Sequence, residues 1–153
     1  DMGKIARETL KTLAHQIAEK QIEVEVGALP AIQADRLAME QILGNLIQNA
    51  VLYIEPGQKG SIEIKGEIGR DQVTFHVKDT GPGIAPEDMD KVFMPFRRAA
   101  KTDVPGEGMG LAYAQALVQR HGGHIQCDSV VGEGSTFSFT LPISKPLPEE
   151  GSC

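Results

Sequence analysis

Aromatic residues are scarce in this chain of 153 residues, where they make up 5% of the total and tryptophan is absent. Hydrophobic residues still make up 41%, which is enough for one aliphatic core and one domain. No apolar run approaches the roughly 20 residues of a membrane-spanning helix, and no signal peptide is visible.

Cysteine is also rare, because Cys127 and Cys153 are the only two in the chain. Their number and spacing indicate neither a disulfide framework nor a metal site. These absences predict a cytosolic domain with free thiols, although its parent protein can still be anchored in a membrane.

Positive charge is in deficit, with 15 Lys and Arg against 21 Asp and Glu and a net charge of −6. This balance argues against a general nucleic-acid binder, but an acidic protein can still bind ATP if its few cations lie near the phosphates. Several signatures are also missing, namely GxxxxGK[ST], GxGxxG between a strand and a helix, the protein-kinase HRD and DFG motifs, HExxH and CxxC. Their absence excludes a P-loop protein and disfavours a dinucleotide-binding fold.

Hydrophobic periodicity predicts helices alternating with strand hairpins. The predicted helices cover residues 4–20, 35–54, 86–92 and 110–121, and the predicted strands cover 22–26, 61–68, 72–79, 124–130 and 135–142. This order predicts an α+β fold over residues 1–143, a two-layer α/β sandwich in which helices cover one face of a mixed sheet. Residues 93–109 are predicted to be a long loop, and residues 144–153 a flexible tail.

Two asparagines lie four residues apart on the helix predicted over 35–54, so Asn45 and Asn49 share one side of it. They adjoin an apolar stripe formed by Met39, Leu43, Leu46, Ile47, Ala50 and Ile54. Asparagine is a poor helix former, so amides at the edge of a buried face are unusual. An amide oxygen can ligate Mg²⁺, whereas the alternative is a pair of solvated side chains.

Three glycine-rich segments follow in order: DTGPGI at 79–84, GEGMGL at 106–111 and GEGSTF at 132–137. The first follows a strand directly, where the Asp79 carboxylate can accept a hydrogen bond from an exocyclic amine such as that of adenine. The second leads into a helix start, where backbone N–H groups suit phosphates. For any one segment alone a tight turn is the better interpretation, so only the order of the three is informative.

The ordered set resembles the histidine-kinase branch of the Bergerat-fold ATP-binding superfamily. In that family's terms, the N box, G1 box, F box, G2 box and closing glycine motif lie at 40–50, 79–84, 93–96, 106–111 and 132–137. The resemblance covers about residues 5–142. It implies a Bergerat fold that binds ATP together with Mg²⁺.

The resemblance also implies roles for single residues. Asn49 is expected to ligate Mg²⁺, Asn45 to support the metal or the phosphates, and Asp79 to bind the adenine amine. Tyr53 is expected to pack against the adenine or ribose, unless it is simply a core tyrosine. The other implied nucleotide-binding residues are Gly81, Gly83, Ile84, Arg98, Lys101, Gly106, Gly108, Met109, Gly110, Leu111 and Ser135.

Two positions depart from the family pattern. Leu52 stands where many relatives have a basic residue facing the phosphates, and Pro95 stands where many have arginine. Arg98 matches the family's second lid arginine and is, with Asn45, an implied catalytic residue. Arg97 and Lys101 are nearby cations that can compensate for the missing charge, and the alternative is that they form a solvated cluster with Arg98. The two departures bear on phosphate affinity and on the geometry of the lid over ATP.

The residue at position 45 separates kinase from ATPase. ATPases and serine kinases of this superfamily carry a general-base Glu four residues before the metal-binding Asn, where this chain has Asn45. Glu40 is nine residues before Asn49 and lies on a different part of the helix. Without that base, transfer to a histidine is favoured over hydrolysis. The alternatives are a nucleotide-binding regulatory module without phosphotransfer and a related ATPase.

None of the four histidines fits the phospho-acceptor of this family. His15 is followed by Gln16, whereas the family's acceptor is usually followed by an acidic residue. His76 falls in a predicted strand, and His121 and His124 flank a glycine pair. The resemblance therefore implies an acceptor on a separate dimerisation domain of the same protein, and a downstream response regulator. Neither nucleic-acid binding nor direct membrane insertion is expected.

Overall fold

The computed structural model describes residues 2–30, 35–54, 60–91, 93 and 110–143. The elements in this part are α1 (Met2–Thr12), α2 (Ala14–Lys20), β1 (Glu23–Val26), α3 (Arg36–Tyr53), β2 (Ser61–Ile68), β3 (Gln72–Asp79), a 3₁₀ helix (Pro86–Lys91), α4 (Gly110–Arg120), β4 (His124–Val130) and β5 (Gly134–Pro142). The rest of the long loop predicted over 93–109 and the predicted tail at 144–153 lie outside the described residues.

The five strands form one sheet in the order β1-β2-β3-β5-β4. Strand β1 runs parallel to β2, while the other neighbouring pairs are antiparallel. The helices pack on one face of this sheet. The predicted α+β two-layer architecture with a mixed sheet is therefore confirmed.

The core lies between α3 and the helix-facing side of the sheet. The whole predicted stripe of α3 is buried, and Val73, Phe75 and Val77 face it from alternate positions of β3. Helix α4 adds Ala114 and Val118 to the same cluster. Fully burying a Val, Leu, Ile, Phe or Met side chain contributes about 1.5–3 kcal/mol, so this packing fixes α3 against the sheet.

Helix α3 begins where the sequence predicts. The Asp35 carboxylate accepts a hydrogen bond from the Ala38 N–H at 3.2 Å, which caps the first turn. The predicted hairpin of β2 and β3 is also present, and it is closed by the Gly69 N–H donating to the Gln72 carbonyl at 2.7 Å. Among the described residues, no helix combines the length and the hydrophobicity that spanning a bilayer requires.

The prediction of one helix over 4–20 is wrong, because the chain leaves helical geometry at Leu13 (φ −98°, ψ 11°). The Thr9 and Thr12 hydroxyls donate to the carbonyls of Ile5 and Glu8, a pattern that bends helices. Ala14, the first residue of α2, is exposed, whereas the buried residues of α1 lie near its start. These are Met2, Gly3, Ile5 and Ala6.

Candidate nucleotide-binding site

Asp79 ends β3 on the side of the sheet that the helices cover. It is 5% exposed, in alternation with the buried Val77. The Gly81 N–H donates to its Oδ1 at 2.8 Å, and the Ser135 backbone N–H also bonds the carboxylate. Burial raises the pKa of Asp79 to about 6, and the two backbone hydrogen bonds offset part of that rise. The site therefore contains a buried acceptor that titrates only slightly below neutral pH.

The loop after Asp79 is docked against the turn between β4 and β5. Gly83 has a φ of +78°, and a Cβ at this position would overlap the carbonyl oxygen of Val130. The Gly132 N–H donates to the Pro82 carbonyl at 2.8 Å, which joins the loop to the turn from the other side. Only glycine can combine this positive φ with so close a contact, so the backbone geometry requires glycine at the second glycine position of the DTGPG motif.

A pair of serine hydroxyls stabilises the contact between this loop and the β4–β5 turn. The Ile84 N–H donates to Ser129 Oγ at 2.7 Å, and Ser129 Oγ lies 2.9 Å from Ser135 Oγ. Ser129 Oγ also donates to the Gly134 carbonyl at 3.0 Å. Ser129 was missed by sequence reasoning because it belongs to no glycine motif. Its position opposite Ser135 in the β4–β5 register is the signal that identifies it.

The C-terminal end of α3 meets the DTGPG loop. The carbonyl oxygen of Tyr53 lies 3.3 Å from where a Cβ on Gly81 would be, so these backbones are in close contact. Asn49 and Asn45 lie one and two turns earlier on the helix, and all three side chains are half-buried. The fold thus brings Tyr53, Gly81, Asp79 and Ser135 together. Asn49 and Asn45 lie progressively farther from them along α3.

The F box and G2 box are described only in part. The Phe93 ring meets the buried Phe137 ring edge to face, with centroids 6.1 Å apart, which anchors the first F-box residue to the sheet. Helix α4 begins at Gly110, and Leu111 packs against the core. The remaining expected residues lie outside the described residues, namely Pro95, Arg97, Arg98, Lys101, Gly106, Gly108 and Met109.

The histidines are engaged or exposed away from this site. His76 lies on the sheet face opposite Asp79's, where its Nδ1 is 2.7 Å from Ser138 Oγ and its Nε2 is 3.1 Å from Glu67 Oε1. The Nδ1 of His121 donates to the Leu117 carbonyl at 2.8 Å. His15 and His124 are exposed.

The fold, the motif order and the buried acceptor define a nucleotide-binding domain of the Bergerat type. Residues 34–145 match the family described as histidine kinase-, DNA gyrase B-, and HSP90-like ATPase. The chain belongs to this family.

Relatives place it in the histidine-kinase branch. Phytochrome-like protein Cph1 of Synechocystis sp. strain PCC 6803 is 37% identical over 145 residues, which are 94% of this chain and 19% of Cph1. The chain therefore spans about a fifth of that relative's length. The catalytic domain of histidine kinase ThkA superposes with a TM-score of 0.78 and 28% identity, covering 94% of this chain and 95% of that domain.

Two further structures that resemble this chain are complexes. Full-length ShkA in complex with AMPPNP has a TM-score of 0.81 and 30% identity over 95% of this chain and 31% of ShkA. ThkA in complex with response regulator protein TrrA has a TM-score of 0.75 and 26% identity over 94% of this chain and 41% of ThkA. The predicted ATP-binding catalytic domain of a histidine kinase is confirmed by these comparisons.

Proposed function

We propose that this domain binds Mg·ATP at the junction of α3, the end of β3 and the start of α4, and donates the γ-phosphate to a histidine on a separate dimerisation domain. The observation that carries the proposal is the buried Asp79 carboxylate, which the Gly81 N–H holds at 2.8 Å on the helix-covered face. A buried acceptor beside a glycine-lined loop suits an exocyclic amine on a flat ring. The ShkA complex with AMPPNP supports the same ligand class.

The residues present fit a magnesium ion shared with the nucleotide. No cluster of three or more His, Cys, Asp or Glu side chains in the described residues is suited to a metal. Magnesium in phosphoryl-transfer sites is commonly held by one or two protein oxygens together with substrate phosphates and water. The half-buried amide of Asn49 on α3 supplies one such oxygen, and Asn45 lies one turn before it. When bound, the ion neutralises charge on the phosphates.

The reaction requires little covalent chemistry from this chain. An imidazole nitrogen of the acceptor forms a bond to the γ-phosphorus, the bond from that phosphorus to the β-γ bridging oxygen breaks, and ADP leaves with the electron pair. Asp79, Tyr53 and Asn49 position the nucleotide for this step. Asn45 occupies the place of a water-activating Glu, which favours transfer over hydrolysis.

The partners follow from the same reaction. The acceptor histidine lies on a dimerisation domain of the parent protein, and the phosphoryl group then passes to a response regulator. The complex of ThkA with response regulator protein TrrA supports the second partner. We propose further that the domain lies in the cytoplasm.

The deciding experiment combines a binding assay with a transfer assay. Asn49→Ala is expected to weaken Mg²⁺-dependent ATP binding at least tenfold, because the metal loses its protein ligand. The exposed neighbour Gln48→Ala is the matched control and should bind as the wild type does. Titration of a fluorescent ATP analogue, with Mg²⁺ and with EDTA, measures both. Unchanged affinity in Asn49→Ala would refute the metal assignment.

Transfer is tested by adding a dimerisation domain that carries its acceptor histidine. Labelling from γ-labelled ATP is expected on that domain and not on this chain. A stable phosphohistidine on the isolated chain contradicts the assignment of its four histidines. Binding without transfer identifies instead a nucleotide-sensing module, the alternative that Leu52 and Pro95 favour.

A further inference from the structure

In the described part of the chain, helix α3 ends without a left-handed cap residue. The residue that follows it, Ile54, is extended (φ −76°, ψ 127°), and the last turn of α3 contains no basic residue. The last four carbonyls of a helix have no partner within it, and the dipole leaves negative charge at this end. The carbonyls at the end that adjoins Gly81 can therefore accept hydrogen bonds from a donor elsewhere in the chain.

One such donor is Lys20, the last residue of α2. Its Nζ donates to the carbonyl oxygens of Val51 at 2.8 Å and Leu52 at 3.0 Å. Burial lowers the pKa of the Lys20 ammonium, and Glu19 opposes that change. The half-buried ammonium thus bonds the final turn of α3 directly.

The backbone of Lys20 is itself held in place. Gln21 adopts a left-handed conformation (φ 57°), and its N–H donates to the Ala18 carbonyl. The N–H of the buried Ile22 donates to the Ile17 carbonyl at 3.0 Å, which closes the end of α2. The ammonium is therefore presented from a fixed point rather than from a free helix end.

The turn that Lys20 bonds is the one that meets the nucleotide site. Its final residue, Tyr53, contacts Gly81 through its carbonyl, and the Gly81 N–H in turn holds the Asp79 carboxylate. A shift of this helix end moves Tyr53 relative to the base-binding carboxylate. Misplacement of binding groups by about 1 Å is enough to lower activity up to 10²-fold.

We infer that Lys20 is a positioning residue of the nucleotide site, which sets the distance between the end of α3 and the Asp79 loop without touching the nucleotide. The inference rests on the proposed site for ATP. Since Lys20 acts through Tyr53 and Gly81, its loss affects the base end of the site. Nucleotides that share this end, ATP and ADP, are then affected equally.

The test compares Lys20→Met, Lys20→Arg and Lys11→Met in the whole chain. Lys20→Met keeps the aliphatic stem but cannot donate, and should weaken ATP and ADP binding by the same factor of about ten. Lys20→Arg keeps two donors and should restore affinity to within about twofold. Lys11→Met removes an exposed lysine from the last turn of α1 and should leave affinity unchanged.

Val73→Ala distinguishes the positioning role of Lys20 from a purely structural one. It lowers stability by opening a cavity at the other end of β3. If Lys20→Met and Val73→Ala bind nucleotide equally well after similar losses in Tm, the positioning role is wrong. Loss of affinity for ATP alone also overturns it, because that result indicates a direct phosphate contact. A wild-type chain that binds neither nucleotide refutes instead the proposed function.

Discussion

At the scale of one residue, the ionised form of Asp79 that suits an amine ligand also lowers the stability of the fold. Its pKa is 3.8 in a solvated chain and about 6 in the fold, because burial disfavours the charged form. A raised pKa means that the stabilising contribution of this carboxyl is fully present below pH 4 and is lost as pH rises through 6. The ionised form that suits an adenine amine is thus the form that destabilises the nucleotide-free domain.

Replacing Asp79 by Asn removes this conflict. The change in unfolding free energy caused by Asp79→Asn is expected to be about 2–3 kcal/mol more favourable at pH 7.5 than at pH 4, since one pKa unit corresponds to about 1.4 kcal/mol. Urea denaturation of the nucleotide-free chain across this range measures it. Asp128→Asn, which removes an exposed carboxylate of β4 instead of a buried one, is the matched control. An effect of Asp79→Asn that does not change with pH would mean that burial does not raise the pKa of the Asp79 carboxyl.

At the scale of elements, the DTGPG loop and the β4–β5 turn form one unit. Gly83→Ala places a methyl group against the Val130 carbonyl at a positive φ, whereas Gly132 has a φ of +86° with open space around it. Gly83→Ala is therefore expected to destabilise by about 3 kcal/mol or more, and Gly132→Ala by about 1–2 kcal/mol from backbone strain alone. Denaturant unfolding of the two variants measures the difference. Equal losses would show that close approach at Gly83 does not hold the loop.

The elements that sequence predicted are those whose signals are local. The stripe of α3 and the hairpin of β2 and β3 follow from periodicity and turn residues within a few positions. The parallel pairing of β1 with β2 depends instead on chain segments far apart in sequence. The break at Leu13 is equally hidden, because a helical pattern continues through it while two threonine hydroxyls bend the backbone.

The same difference between local and distant signals applies to the candidate site. Asp79, Gly81 and Gly83 are visible in the sequence because their motif is contiguous. Ser129 is visible only once β4 is registered against β5. Lys20 bonds carbonyls 31 and 32 residues away, which no spacing rule reveals. Motif order therefore predicts the ligand class, while the groups that hold the site together emerge from tertiary packing.

At the scale of the whole molecule, the site draws on α3, β3 and the β4–β5 hairpin, so nucleotide binding should stabilise the entire fold. Mg·ATP at 100 times its Kd adds about 2.7 kcal/mol, which for a domain of this size raises Tm by roughly 5–11 °C. The thermal shift is expected at pH 7.5, where Asp79 is ionised in the fold, because its folded pKa is about 6.

The same shift should shrink in acid. At pH 5 the Asp79 carboxyl is mostly protonated, and affinity should fall about tenfold because binding must first remove that proton. At the same ATP concentration the added stability then drops to about 1.4 kcal/mol, and the thermal shift to about half. Differential scanning calorimetry at both pH values, with Asp128→Asn as the control that keeps the wild-type ratio, measures this. Equal shifts at both pH values would exclude Asp79 as the ionised acceptor of the base, and the link between its buried charge and nucleotide binding would be lost.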